Sequence, residues 1–464
     1  MAGEKAVFVG PRLRRLRRDL GLTQTVMAED LGISPSYIAL IERNQRPLTA
    51  KVLLKLAQIY KVDLSQFAGD GGTGVSRRLE DLLKDPLFSD LDLAPGEVSD
   101  LATGHPGLAE ALVRTYRAYR DGQMALADHA GAEATADPLE ETRAFLATHR
   151  NFFADLDHAA ELIGRDHDDI NSLIERVKSR HGFRTRRMPR DIMAGAVRRF
   201  EYHRRELLLD ESLDAAATAF QIALQLVYLE LGDAIDAIMK AAHFKTEDAR
   251  RMTRRALAGY GAGAILMPYT SFYREAEARR YDIEALSRRF RVSFEQVAHR
   301  LTSLQKPGQE GVPFFFIRVD PAGNVSKRFD GSDYPFARQG GSCPLWSLHA
   351  TFQTPGRILT QIVELPDGAQ FFSVSRTVTA GGGAYGAPRA ERAVALGCSI
   401  EDAARLVYSD GMDIEDPDAT PIGIACRLCQ RTNCVARAEP PLGRQLLGDE
   451  NRRMAAPFLF GDEG

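Results

Sequence analysis

Residues 20–47 read LGLTQTVMAEDLGISPSYIALIERNQRP, and this stretch restricts the N-terminal fold more tightly than any other part of the chain. Thr23 is placed to cap a helix whose inner face would carry Val26, Met27 and Leu31, with Ala28 small enough for a close helix crossing. Gly32 permits the turn, and Ser34 stands where it caps a second helix, Pro35–Glu42. In that helix Ile38 and Ile41 are expected to face inward, which turns Ser36, Tyr37 and Leu40 outward. Small polar and aromatic side chains near the N-terminus of the second helix are what a major groove receives from such a pair. The expected DNA-contacting set is therefore Gln24, Ser34, Ser36, Tyr37, Arg43, Asn44 and Arg46. Ser36 and Tyr37 would face bases, and Arg43, Asn44 and Arg46 would face phosphate.

Charge supports this reading over an ordinary helical bundle with a basic rim. The whole chain carries −3, yet residues 1–61 hold eleven Lys and Arg against five acids, or +6. On these residues, positions 10–60 resemble the XRE-type helix-turn-helix of phage repressors. The resemblance implies a double-stranded operator with two-fold symmetry and a homodimer or higher homo-oligomer.

At 464 residues the chain exceeds one core, and about three domains are expected. No run of eighteen apolar residues occurs and no signal-like apolar stretch precedes the first arginines, so the expected location is the cytoplasm, without membrane contact. A glycine-rich break, GDGGTGVS, falls at 69–76. The expected layout is a DNA-binding domain over 1–68, a helical linker region over 69–155, a helical middle domain over 156–307 and an α+β sensor domain over 308–464. The fold class is multi-domain and mainly α. A basic run from Arg176 to Arg205 fits a solvated face, a second DNA contact or a grip on nucleotide phosphates, and spacing does not choose among them.

The phrase ARRMTRRALAGYGAGAILMPY (249–269) and the apolar stretch before Gly232 resemble the ImmA/IrrE family, whose members carry HExxH on a helix. Here the corresponding positions read Leu224, Gln225, Leu226, Val227 and Tyr228. Zinc needs at least three donors and hydrolysis needs a base, and this helix offers neither. The expectation is a retained fold with no catalytic residues and no enzyme activity. The groove such a helix faces would suit an acyl chain, or the helix serves as core.

From Pro313 the pattern turns to strands. PFFFIRV, DPAGN and VSKRF read as one hairpin, RILTQIVEL, PDG and AQFFSVSRTV as a second, and SIEDAARLVYS as a helix capped by Ser399. Five cysteines are present, three of them in CRLCQRTNC as Cys426, Cys429 and Cys434. The C-x₂-C-x₄-C spacing suits thiolate ligation, and Arg427, Arg431 and Arg437 would offset its negative charge. Cys343, on a Gly/Pro loop, is the preferred fourth ligand over Cys398. Zinc and an iron–sulfur cluster both fit the spacing.

The order of these parts carries the strongest signal. An XRE head, a degenerate ImmA/IrrE middle, then PFFFIRVDPAGNVSKRF, GSCPLW and TPIGIACRLCQRTNCVARAEPP resemble the short-chain fatty acid regulator family over nearly the whole chain. The resemblance implies a transcription factor of short-chain acyl-CoA metabolism, an acyl-CoA effector and, in some members, an iron–sulfur cluster at the cysteines. For the effector, Arg318, Lys327 and Arg328 near one turn are candidate phosphate contacts. Tyr269 and Phe315 are candidates for adenine or acyl contacts. The competing readings are an ImmA/IrrE-like metalloprotease fused to a repressor head, and a regulator that senses redox state alone.

Overall fold

In the computed structural model, the described residues run continuously over 22–42, 137–165, 169–329, 342–381 and 389–442, with shorter described pieces elsewhere. They form two compact units, residues 1–125 and 126–464. Among the described residues no helix is long and apolar enough to cross a membrane.

The first unit contains α1 (Gln24–Leu31), α2 (Pro35–Glu42) and α3 (Pro95–Gly104). Met27, Ala28 and Leu31 of α1 meet Ile38 and Ile41 of α2 in a buried cluster that also takes in Leu13, Val52 and Leu56. Val26 departs from expectation. It is 41% exposed, because the inner stripe of so short a helix is already filled by its neighbours Met27 and Ala28.

The second unit opens with α4 (Pro138–Thr148), α5 (Ala154–Arg165) and α6 (Ile170–His181). A small sheet follows: β1 (Arg184–Met188), the short α7 (Arg190–Met193), β2 (Arg198–Glu201) and β3 (Glu206–Asp210), in the order β1-β3-β2. The middle region is therefore not purely helical, and the arginine-rich run forms strands. The central strand β3 carries the buried Leu207, Leu208 and Leu209, while on the two flanking strands Arg184, Arg186, Arg187 and Arg199 are exposed and Arg198 turns inward. Behind this sheet lie α8 (Ala215–Glu230), α9 (Gly232–Ala241) and α10 (Glu247–Leu266). Ile222, Ala223, Leu226 and Val227 of α8 share a core with Leu257, Ala258 and Ile265 of α10 and with Leu156 and Ile163 of α5.

Three more helices, α11 (Tyr269–Ala278), α12 (Ile283–Phe290) and α13 (Phe294–Leu301), precede the two-residue strands β4 (Gln305–Lys306) and β5 (Gln309–Glu310). The larger sheet comprises β6 (Phe315–Val319), β7 (Val325–Phe329), β8 (Leu359–Glu364), β9 (Gln370–Gly381), β10 (Arg389–Ser399) and β11 (Thr420–Pro421), in the order β11-β8-β9-β10-β6-β7. Its two hairpins, β6–β7 and β8–β9, are those expected from the alternating runs. Side chains alternate between two buried faces. Phe316, Val394, Leu396 and Cys398 join the core with α11–α13, whereas Phe315, Ile317, Ala393 and Ala395 join Tyr334, Cys343, Trp346 and Ile422 on the other side. The expected helix after Ser399 is instead two 3₁₀ turns, Ile400–Arg405 and Val407–Ser409, and Ser399 makes no side-chain cap. Ser409 Oγ, donating to Ala403 O and Leu406 O, holds these tight turns in place of a regular helix.

Candidate functional site

In the head, Thr23 Oγ1 accepts the Val26 amide at 3.2 Å and Gly32 closes α1 in the left-handed region at φ +64°. Ser34 Oγ accepts the Tyr37 amide at 3.2 Å and lies 3.0 Å from Ser36 Oγ, so both serines stand at the start of α2 with Ser36 exposed. Tyr37 is half-buried against the head core. Gln24 Nε2 donates to Glu42 Oε2 at 2.7 Å, and Arg17 reaches the same carboxylate at 2.6 and 3.1 Å. Burial alone would push the Glu42 carboxyl up; the hydrogen bonds from Arg17 and Gln24 and the Arg17 charge overcome this and hold it below the usual range. Gln24 thus locks α1 to the end of α2, a role that spacing alone did not reveal. Arg46 is exposed, and Arg43 and Asn44 lie outside the described residues.

On α8 the positions of a zinc-peptidase signature hold other chemistry. Gln225 is buried at 4% exposure and accepts a hydrogen bond from Arg198 Nη1 of β2. The same guanidinium lies 5.3 Å from the Tyr228 ring centroid. A permanent cation rests against this face of the helix, where a metal site would require lone-pair donors.

The five residues expected to contact a nucleotide-bearing ligand do not converge. Arg318 pairs with Lys327 across β6–β7, and Ile317 with Arg328, so the alternation sends Arg328 to the opposite face. Arg318 Nη1 donates to Glu295 at 2.6 Å, while Arg328 grips Glu140 at 2.7 and 3.0 Å. Lys327 lies on the Arg318 face, where burial and the Arg318 charge pull its ammonium down to about 8 against the opposing pull of Glu295. Tyr269 is 1% exposed, and its hydroxyl donates to Gln309 O and accepts from Lys306 N. Phe315 is fully buried on the other side of the sheet, stacked on Tyr334. Both rings are buried in the core of the ligand-free fold. A run of cations near one turn says nothing about which face each takes.

The cysteines do come together. Cys343, Cys426, Cys429 and Cys434 line one small cleft, together with Arg431 and Arg437. Burial raises the Cys343 thiol, and nearby Cys426 and Cys434 push it the same way, against amide hydrogen bonds from Gly423 and Leu345. Gly423 is required here: a Cβ would lie 2.8 Å from Cys429 Sγ. The Ala438 amide donates to Cys426 Sγ at 3.4 Å. Cys398 sits across the sheet in the α11–α13 core, so it is no partner to the other four.

A capped helix pair with the exposed Ser36 at the start of its second helix on one unit, and on the other a peptidase-like helix without metal ligands and a cleft lined by four cysteines, point to a helix-turn-helix transcriptional regulator. Residues 13–67 match the helix-turn-helix family, 178–302 the IrrE N-terminal-like domain, and 303–458 the family described as short-chain fatty acyl coenzyme A regulator, C-terminal. The chain is 41% identical to the HTH-type transcriptional regulator RamB of Mycobacterium tuberculosis, over 97% of this chain and 98% of that one. It is 38% identical to the propionyl-CoA carboxylase regulator of Cereibacter sphaeroides, over 98% and 99% of the two chains. A solved structure described as a Mycobacterium tuberculosis transcriptional regulator superposes with a TM-score of 0.66 at 40% identity, covering 70% of this chain and 99% of that one. The chain belongs to the short-chain fatty acyl-CoA regulator family.

Proposed function

We propose that this chain is a cytoplasmic, acyl-CoA-responsive regulator that binds a two-fold operator as a dimer, senses its effector through residues 126–464, and has no peptidase activity. The observation that carries this reading is the joining, in one chain, of a DNA-reading head to a fatty acyl-CoA regulator domain. A relative named for propionyl-CoA carboxylase regulation supports acyl-CoA metabolism as its field, and relatives named as HTH-type transcriptional regulators support the DNA-binding role. The Arg198–Gln225–Tyr228 contact supports a binding role for the middle domain over hydrolysis.

The cysteine cleft suits an iron–sulfur cluster held by Cys343, Cys426, Cys429 and Cys434. Four thiols line one cleft, the donor set that such a cluster takes. Bound there, a cluster supplies a redox-sensitive charge beside the sensor sheet. This also gives the second reading its specific support: a regulator that answers to redox state alone.

Thermal shift of the full chain with CoA, acetyl-CoA, propionyl-CoA and longer acyl-CoAs, beside iron, sulfide and zinc analysis after anaerobic purification, tests both. Stabilisation by acyl-CoAs beyond CoA supports the leading reading. No shift with any thioester, together with a bound cluster, supports the redox reading.

A further inference from the structure

Arg437 is only 4% exposed, and among the described residues no carboxylate pairs with it. Its guanidinium instead donates to backbone carbonyls: Cys426 O at 2.7 Å, Cys429 O at 2.8 Å, Arg431 O at 2.9 Å and Glu439 O at 3.3 Å. Nε is buried without a partner. Phe460, itself buried, covers the guanidinium at 5.0 Å from its ring centroid, and the tail that carries it is held by a bridge between Leu446 and Phe460. Arg431, also lining the cleft, is by contrast paired with Glu364.

A buried cation with only neutral acceptors is costly unless an anion stands near. The groups beside Arg437 that become anionic on binding metal are the thiols of the cysteines whose carbonyls it holds. We infer that Arg437 is the positioning residue of the cysteine site: its fork holds the 426–434 loop in ligating shape before any metal arrives, and its charge balances the thiolate centre afterwards. The charge function rests on the proposed iron–sulfur centre; the loop function does not. Phe460 and the tail extend the device, because they exclude water from the guanidinium and strengthen its field at the sulfurs.

Two substitutions in the full chain separate the two functions. Arg437→Lys keeps the charge but loses the fork, and Arg437→Gln loses both. In the metal-free chain, both variants should be cleaved within 426–442 by limited proteolysis about tenfold faster than wild type, the scale of one lost charge-assisted hydrogen bond. The emission of the buried Trp346 should stay native, showing that the larger sheet is intact. In the anaerobically reconstituted protein, the cluster's midpoint potential should stay near wild type in Arg437→Lys. In Arg437→Gln it should fall by about 59 mV, a tenfold loss in a one-electron reduction equilibrium, because the reduced centre carries one more negative charge. Wild-type proteolysis rates in both variants would overturn the loop function. Equal potentials in wild type and Arg437→Gln would overturn the charge function. If the wild-type chain takes up no iron, the cluster reading fails by itself, and the proteolysis comparison still decides whether Arg437 shapes the loop.

Discussion

The guanidinium of Arg300 closes on the carboxylate of Asp157 through two hydrogen bonds of 2.7 and 2.9 Å, tying α13 to α5 across 143 positions of sequence. Both side chains are 3% exposed. Tyr260 donates to the same carboxylate, and Arg300 Nε donates to Met267 O, so the pair ties α5 to the helices that pack on the larger sheet. Asp157→Ala leaves the buried guanidinium unpaired and should destabilise this unit by about 3–5 kcal/mol. Tyr260→Phe, which loses the bond to Asp157 and a longer one from Phe153 N, should cost about 1–3 kcal/mol. Urea unfolding followed by Trp346, the chain's single tryptophan, reads both. A loss below 1 kcal/mol for Asp157→Ala would remove the pair from the account of how the two parts are held.

Glu230 sets an acid limit. Burial would raise its carboxyl, but hydrogen bonds from Arg176 and His181, with the charges of Arg176 and Arg180, overcome that and lower it from 4.5 to about 2. A carboxylate depressed on folding stabilises above its unfolded value and loses that contribution as pH falls through the window from 4.5 to about 2. The contribution should be about 1–3 kcal/mol. Glu230→Gln should therefore be less stable than wild type near pH 6, with the gap narrowing by about pH 3.5. Unfolding midpoints at the two pH values check this, and a gap independent of pH would contradict it.

In the head, Glu42→Ala strands Arg17 and Gln24 and should destabilise the first unit by about 2–4 kcal/mol. Arg46→Ala should leave the fold alone and reduce the salt slope of DNA binding by about one ion. Ser36→Ala should change which duplex is preferred. Anisotropy titrations at several salt concentrations separate these effects. An unchanged slope would take Arg46 off the phosphate backbone.

Metal content should depend on four cysteines and not the fifth. Cys343→Ser should lose metal as Cys429→Ser does, while Cys398→Ser, across the sheet, should keep wild-type stoichiometry. Changes at Leu224 or Tyr228 should also leave it unchanged. Elemental analysis decides, and metal retained in Cys343→Ser but lost in Cys398→Ser would reverse the assignment.

Where local chemistry acts over a few residues, the sequence was legible. Thr23, Gly32 and Ser34 announce α1 and α2 through caps and a left-handed turn, and strand-forming runs broken by DPAGN and PDG announce β6–β7 and β8–β9. The x₂ and x₄ gaps announce the gathering of Cys426, Cys429 and Cys434 along one cleft. What stayed hidden depends on partners distant in sequence. Strand β1 reads as a charged run because its partner β3 begins at Glu206, beyond β2. Arg328 looked free for a ligand until Glu140, 188 positions away, took it. Tyr269 and Phe315 are aromatic residues whose burial only the packed sheet and helices reveal.

The central claim is that short-chain acyl-CoA controls operator binding. A random pool of DNA duplexes should be selected on the full chain, and the affinity for the enriched duplex measured with CoA and with propionyl-CoA at fixed salt. The expected result is a two-fold-symmetric sequence whose affinity changes by about fivefold or more with propionyl-CoA and not with CoA. An enriched operator bound equally with and without every acyl-CoA would contradict it.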